Sequence, residues 1–197
     1  MSGATAADYA WFDEEYGESF VITGFCLTFV KDVVPEEALR RIGVTPDPAA
    51  GLDDISGHPI AAYAAFGGTV LLEPNGFAGT MTEVVRRLSA GTAMASVFLN
   101  VNAHQQFLFA ADGRLVTGFE PDGPDVRWGA DPDRLLPYMS DLGMPTEEEE
   151  VDAALDDDEG DDPILTTMAL AERATGVRLT RDHLARPALI GSSGHLY

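Results

Sequence analysis

Residues 69–119, TVLLEPNGFAGTMTEVVRRLSAGTAMASVFLNVNAHQQFLFAADGRLVTGF, read as a strand, a helix and then three antiparallel strands. Val70, Leu71 and Leu72 form an apolar run that stops at Glu73-Pro74-Asn75-Gly76, where three of four residues are turn formers. Thr80 followed by Glu83 has the spacing of a capping box, and Met81, Val84, Val85 and Leu88 recur at helical spacing after it. From Ala93 the period changes to two. Ala95, Val97, Leu99 and Val101 then face one way, and Met94, Ser96, Phe98 and Asn100 the other. Asp112-Gly113 separates the apolar segments 106–110 and 115–119. It is the strongest hairpin signal in the chain, because a type I′ turn needs positive φ at both central residues.

Working outward, residues 20–30 are dense in β-branched and aromatic side chains and predict a buried strand, with a bulge at Gly24. Pro35 at a first helical position, Glu36 and Glu37 in the first turn and Gly43 beyond predict a short helix. Two prolines and two glycines make 45–57 a surface loop. Residues 59–66 then return as a strand that Gly67-Gly68 turns into the strand at 69. Downstream, Glu120-Pro121-Asp122-Gly123-Pro124 is a turn-rich connection. Asp131-Pro132 predicts an N-cap and first-turn proline, with Leu135, Leu136 and Met139 on the apolar side. A last amphipathic helix from Ile164 to Thr175 closes at Gly176, and Thr180 caps one more short helix that Pro187 ends. The Gly- and Ser-rich final ten residues are expected to fray.

The expectation is therefore one α+β domain over 1–197, with a mainly antiparallel sheet of five to six strands covered by helices. Residues 1–18 form an acidic, aromatic arm, 20–142 the core, 145–162 an acidic linker, and 163–186 C-terminal helices packing on the core. The length favours one well-buried core over two.

Charge is the abnormal feature. The chain holds 12 basic and 33 acidic residues, a formal net charge of −21. Eleven of the acids fall in 147–162, and such self-repelling composition buries little. This balance disfavours nucleic acid and anionic membrane surfaces as ligands and makes a basic protein the natural partner. The N-terminal residues lack the basic and apolar parts of a secretion signal, and no run approaches a membrane span, so a cytoplasmic protein is expected. The single cysteine, Cys26, sits in an apolar run and predicts a buried, unbridged thiol.

Motifs that carry chemistry are scarce. His58, His104, His183 and His195 show no metal-ligand spacing, and no nucleophile elbow, dinucleotide or phosphate-loop glycine pattern occurs, so no metal and no cofactor is expected. The sharpest candidate cleft lies where strand 69–73 ends: Glu73 and Asn75, with Asn100 and His104 from the next turn and Glu120 at a third strand end. Glu73 and Glu120 could form a carboxylate pair able to do acid and base work. Trp11, Tyr16 and Trp128 are candidate interface anchors.

Several strings taken in order carry a resemblance. They are Cys26-Leu27-Thr28-Phe29-Val30, Pro35 through Gly43, Glu73-Pro74-Asn75-Gly76, Leu88-Ser89, Val97 to Asn102, Ala111-Asp112-Gly113, Glu120-Pro121, Asp131-Pro132-Asp133 and Ala171-Glu172-Arg173 on to Thr180. Together they resemble an actinobacterial, Streptomyces-type family of uncharacterised proteins with a domain of unknown function, from about Trp11 to Leu184. The resemblance implies a single α+β domain in an actinobacterial cytoplasm and brings no catalytic residues with it. Charge and the missing motifs make the functional expectation a non-catalytic binding protein for a basic partner, as immunity or antitoxin-type inhibitors are. The alternative is a small hydrolase or ligand-binding enzyme with its site near the ends of the central strands.

Overall fold

The computed structural model describes residues 3–49, 51–55, 57–148 and 162–197. Eight strands form one antiparallel sheet in the order β7-β6-β5-β4-β1-β3-β2-β8. They are β1 Phe25–Lys31, β2 Pro59–Ala65, β3 Gly68–Pro74, β4 Ala93–Leu99, β5 Gln105–Ala111, β6 Arg114–Glu120, β7 Gly123–Trp128 and β8 Leu189–Ser192. Six α-helices accompany them among the described residues: α1 Ala10–Thr23, α2 Pro35–Arg41, α3 Thr82–Leu88, α4 Leu136–Asp141, α5 Pro163–Thr175 and α6 Arg181–Leu184.

Side chains alternate across the central strand and divide the interior into two cores. Phe25, Leu27 and Phe29 of β1 join Val70, Leu72, Ala95 and Val97 on one face, which Tyr9, Phe12, Met139 and the α5 residues Met168 to Ala171 cover. Val30, Leu71 and Met94 face the other way, against Leu39 of α2 and Val84, Val85 and Leu88 of α3. Because β1 is covered on both faces, six of its seven residues are buried, and its sequence is apolar apart from Thr28 and the exposed Lys31.

The Asp112-Gly113 turn forms as its chemistry requires, with φ of 51° and 76° and Ala111 opposite Arg114. Cys26 is buried and unbridged. Gly176 takes the left-handed conformation that ends α5, its N–H donating to the Glu172 carbonyl at 2.6 Å.

Three expectations are corrected. The sheet has eight strands, not five or six, because β7 begins inside a Gly-Pro turn and β8 is a four-residue edge strand within the tail expected to fray. Residues 20–23 belong to α1, not to the first strand; the helix runs to Thr23 and Gly24, at φ 74°, turns the chain into β1. Of the acidic, aromatic arm, residues 10–18 lie in this helix and Ala6–Tyr9 form a 3-10 turn before it. Thr80 does not cap α3: Met81 is the N-cap, the Thr80 hydroxyl donates to the Phe77 carbonyl, and Glu83 pairs with Arg86 and Arg87. Of the acidic linker, residues 149–161 lie outside the described residues. Its last acid, Asp162, caps α5 by accepting the Ile164 N–H at 2.7 Å.

A pair of glycines tests how closely the sheet's hairpins are docked. Gly67 and Gly91 both have positive φ, but an added Cβ at Gly67 would lie 2.3 Å from the Gly176 carbonyl oxygen, whereas at Gly91 it meets nothing within 4 Å. Gly91→Ala should therefore cost about 1–2 kcal/mol for the backbone conformation alone, and Gly67→Ala clearly more, read from urea unfolding midpoints of the two variants.

Candidate functional site

Strand β3 ends at Pro74, and Asn75 turns left-handed (φ 53°) with its N–H donating to the Gly24 carbonyl at 3.0 Å. The chain then folds back as a 3-10 turn, Ala78–Thr80, over the end of the second core. This return places backbone donors on the Glu73 carboxylate: the Gly79 N–H on Oε1 at 3.1 Å and the Ala78 N–H on Oε2 at 3.2 Å. Glu73 is 1% exposed. Its third donor is the Tyr197 hydroxyl, 3.1 Å from Oε2.

Tyr197 reaches this point through the C-terminal strand. β8 pairs with β2, and Ser193 then donates both its N–H and its hydroxyl to the His58 carbonyl at 2.9 and 2.8 Å. His195 Nε2 sits 3.0 Å from the Ile42 carbonyl. The Tyr197 ring stacks on His58 at 3.9 Å between centroids and meets the Phe77 ring edge-on at 4.6 Å. Its oxygen accepts the N–H groups of Phe77 and Ala78 at 2.9 and 3.0 Å.

Beneath the turn the sheet is polar. Cys26 lies opposite Glu73 across β1 and β3, and Thr28 opposite Ser96 across β1 and β4. The Cys26 thiol approaches the Thr28 hydroxyl at 3.8 Å, while the buried Ser96 hydroxyl has no hydrogen-bond partner. Two glycines make the close approach possible. A Cβ on Gly79 would lie 2.1 Å from Thr28 Oγ1 and 2.8 Å from Cys26 Sγ, and one on Gly76 would lie 2.9 Å from Glu73 Oε2 and 3.2 Å from the Tyr197 oxygen.

Burial pushes the Glu73 carboxyl up to about 7, against the hydrogen bonds from Gly79, Tyr197 and Ala78 that hold it down. Burial, with the nearby Glu73 charge, also raises the Cys26 thiol, so it is a poor nucleophile. The Tyr197 phenol is raised by burial and by Glu73. The site therefore holds a carboxyl that burial raises toward neutrality, met by three hydrogen-bond donors.

The other residues singled out from sequence fall into three groups. Asn75 and Asn100 come together across Gly24, whose added Cβ would lie 2.9 Å from Asn100 Cα. Asn100 Oδ1 accepts the N–H groups of Asn102 and His104 at 2.9 and 3.0 Å and so shapes the β4–β5 turn. His104 is exposed, its ring edge-on to Phe98 at 6.2 Å. Glu120 is exposed at the end of β6, four strand positions from Glu73 in the sheet, or ~19 Å at normal inter-strand spacing; the two carboxylates do not form a pair. Trp11, Tyr16 and Trp128 are half-buried and pack against the core. Trp11 and Tyr16 do so beside Phe12, with centroids at 5.7 and 5.4 Å. His58, Phe77, Gly79 and Tyr197 were not readable as site residues. A local signal existed for Gly79, which stands three residues after Gly76, but Tyr197 meets Glu73 from 124 residues away. Among the described residues no group of three or more His, Cys, Asp or Glu is placed to hold a metal ion.

The unfolded Glu73 carboxyl titrates near 4.5 and the folded one near 7, so folding takes up a proton between them. Its contribution to stability is fully present below about pH 4.5 and is lost as pH rises through about 7. The stability advantage of wild type over Glu73→Gln should fall by on the order of 3 kcal/mol across that window, measured by urea unfolding of both proteins at each pH; parallel profiles refute it. Gly79→Ala should destabilise by about 1–3 kcal/mol, and part of that loss should vanish in a Thr28→Ala background, where the nearest clashing atom is gone. Purely additive unfolding energies would show that the turn does not rest on Thr28.

No curated protein and no solved structure matches the chain. Among the described residues no helix is long and apolar enough to cross a membrane. The sequence model of DUF6461, a family of unknown function, matches residues 2–189. Glu73, its turn and His58 lie inside that match, Tyr197 lies eight residues beyond it, and the chain belongs to the DUF6461 family.

Proposed function

We propose that this chain is an acidic binding protein that occludes a basic protein partner in an actinobacterial cytoplasm, in the manner of an immunity or antitoxin-type inhibitor of a cationic toxin. The observation that carries this is how the charge is distributed. Of 12 basic residues, eight (Arg40, Arg41, Arg86, Arg87, Arg127, Arg173, Arg178 and Arg181) are already held in ion pairs with acids of the same chain. An anionic ligand meets few uncommitted cations, whereas a cationic surface meets acids in excess and is steered toward them.

The sheet end that carries Asn75 and Asn100 is the docking surface this charge best serves. Exposed Ile22, Phe77 and Val101 each stand one or two residues from the point where Gly24, Asn75 and Asn100 meet. Exposed Glu18 lies one helical turn before Ile22, and exposed Glu120 ends β6 at the same end of the sheet. An apolar centre with an acidic rim suits a basic partner. Trp11, Tyr16 and Trp128 are half-buried and pack against the core, which leaves part of each side chain accessible to a partner. The catalytic alternative is less well supported, since Glu73 is closed over and Glu120 is far from it.

The test is titration of the protein with the product of the reading frame adjacent to its gene. Tight binding should have an association rate that falls about tenfold or more between about 50 mM and about 500 mM salt. Val101→Arg should weaken it by at least about tenfold, while Val34→Arg, also exposed but at the opposite end of the sheet, should leave it unchanged. Absence of binding at any salt, or equal effects of both substitutions, overturns the assignment.

A further inference from the structure

The pocket holding Tyr197 is built to the hydrogen-bonding pattern of a phenol. A phenol oxygen has one donor and two acceptor positions, and all three are met here: its O–H points to Glu73 Oε2, and the Phe77 and Ala78 N–H groups point to it. The walls suit the ring, with His58 stacked flat and Phe77 edge-on. The floor keeps room for the oxygen because residue 76 has no side chain.

A second phenol–carboxylate pair in the same chain shows what a merely structural version looks like. The Tyr9 hydroxyl donates to Glu172 at 2.8 Å, and Tyr9 is 1% exposed, sealed within the first core. Tyr197 is 40% exposed. It enters from the surface on a short 3-10 turn, Gly194–Leu196, and the Tyr197 ring itself belongs to neither core. It also lies outside the residues that match the family, whereas Glu73, Phe77, Ala78 and His58 lie inside them.

We propose that His58, Phe77, Glu73 and the N–H groups of Phe77 and Ala78 form a receptor pocket for a para-substituted phenol, and that Tyr197 is its intramolecular occupant, an autoinhibitory contact that an incoming phenol displaces. Tethering gives the cis occupant an effective concentration in the millimolar range, so an external phenol competes only when the tail is weakened or the ligand makes further contacts. The ligand is a tyrosine side chain of another polypeptide or a free small phenol, which share this chemistry. The proposal does not rest on the charge-based assignment above, and its failure leaves that assignment untouched.

The test uses the full chain carrying Tyr197→Ala, with the Phe77, Ala78 and Gly79 amides followed by NMR. Added p-cresol should move these three amides saturably with a dissociation constant of about 1 mM. Toluene, which has the ring without the hydroxyl, should bind at least about tenfold more weakly, and Glu73→Gln in the same background should weaken p-cresol by a similar factor. Tighter binding of N-acetyl-tyrosinamide than of p-cresol assigns the source to a polypeptide tyrosine, and weaker binding assigns it to a small phenol. Equal binding of p-cresol and toluene would reveal only an apolar hole and overturns the proposal, as does no shift at all. If Tyr197→Ala does not fold, Tyr197→Phe keeps the ring and frees the Phe77 N–H, while the Ala78 N–H keeps its bond to Glu73 Oε2. There, p-cresol at about 10 mM, roughly ten times the expected dissociation constant, should restore slow hydrogen exchange at Phe77, and unchanged exchange there overturns it.

Discussion

Taking a carboxylate out of water is costly unless donors replace the water it loses, and the end of the second core is arranged around meeting that requirement for Glu73. A neighbouring helix does not supply the donors. They come from the strand's own continuation, which must turn left-handed at Asn75 and fold back within a few residues to bring two amides onto the carboxylate. That return is possible because Gly76 and Gly79 let backbone lie where side chains would collide. The third donor draws the far end of the chain to the same place, and with it the β8 pairing and the Ser193 contacts on His58. The loop, the edge strand and the tail thus share one requirement, and a change at Glu73 reaches all three.

The polar patch also explains why α2 and α3 leave this corner to a 3-10 turn. The second core is apolar where those helices pack on Val30, Leu71 and Met94, and becomes Cys26, Thr28, Ser96 and Glu73 toward the Phe25 end of β1. A helix laid over these groups would leave its apolar side facing hydroxyls and a carboxylate. A backbone turn presents N–H groups instead, which is what buried acceptors need.

Features set by local chemistry are legible in the sequence. The Asp112-Gly113 turn, the left-handed stop at Gly176 and the buried Cys26 follow from neighbours a few residues away. Features set by distant partners are not. Residues 20–23 are β-branched and aromatic and read as strand, yet they continue a helix whose Phe12 packs on Phe25 and the first core; tertiary packing overrides propensity there. β8 is too short to show a period, and its Gly and Ser content imitates a frayed end. At the site, the turn marks Glu73 and Asn75 as polar residues at a strand end. The depth of Glu73, its pairing with Tyr197 and its distance from Glu120 all depend on the order of strands across the sheet.

That strand order has a kinetic consequence. β2 and β3 form a hairpin, and β4 through β7 form a continuous meander, so each group can assemble from contacts close along the chain. β1, however, lies between β3 and β4 and must find residues 68–74 on one side and 94–99 on the other. Non-local pairings of this kind dominate folding times, because the loop must close before the contacts that reward closure exist. The slow event expected for this chain is therefore the insertion of β1 between two preformed halves. Both cores acquire their central strand in that single step, and the seat for the Glu73 turn is completed with it.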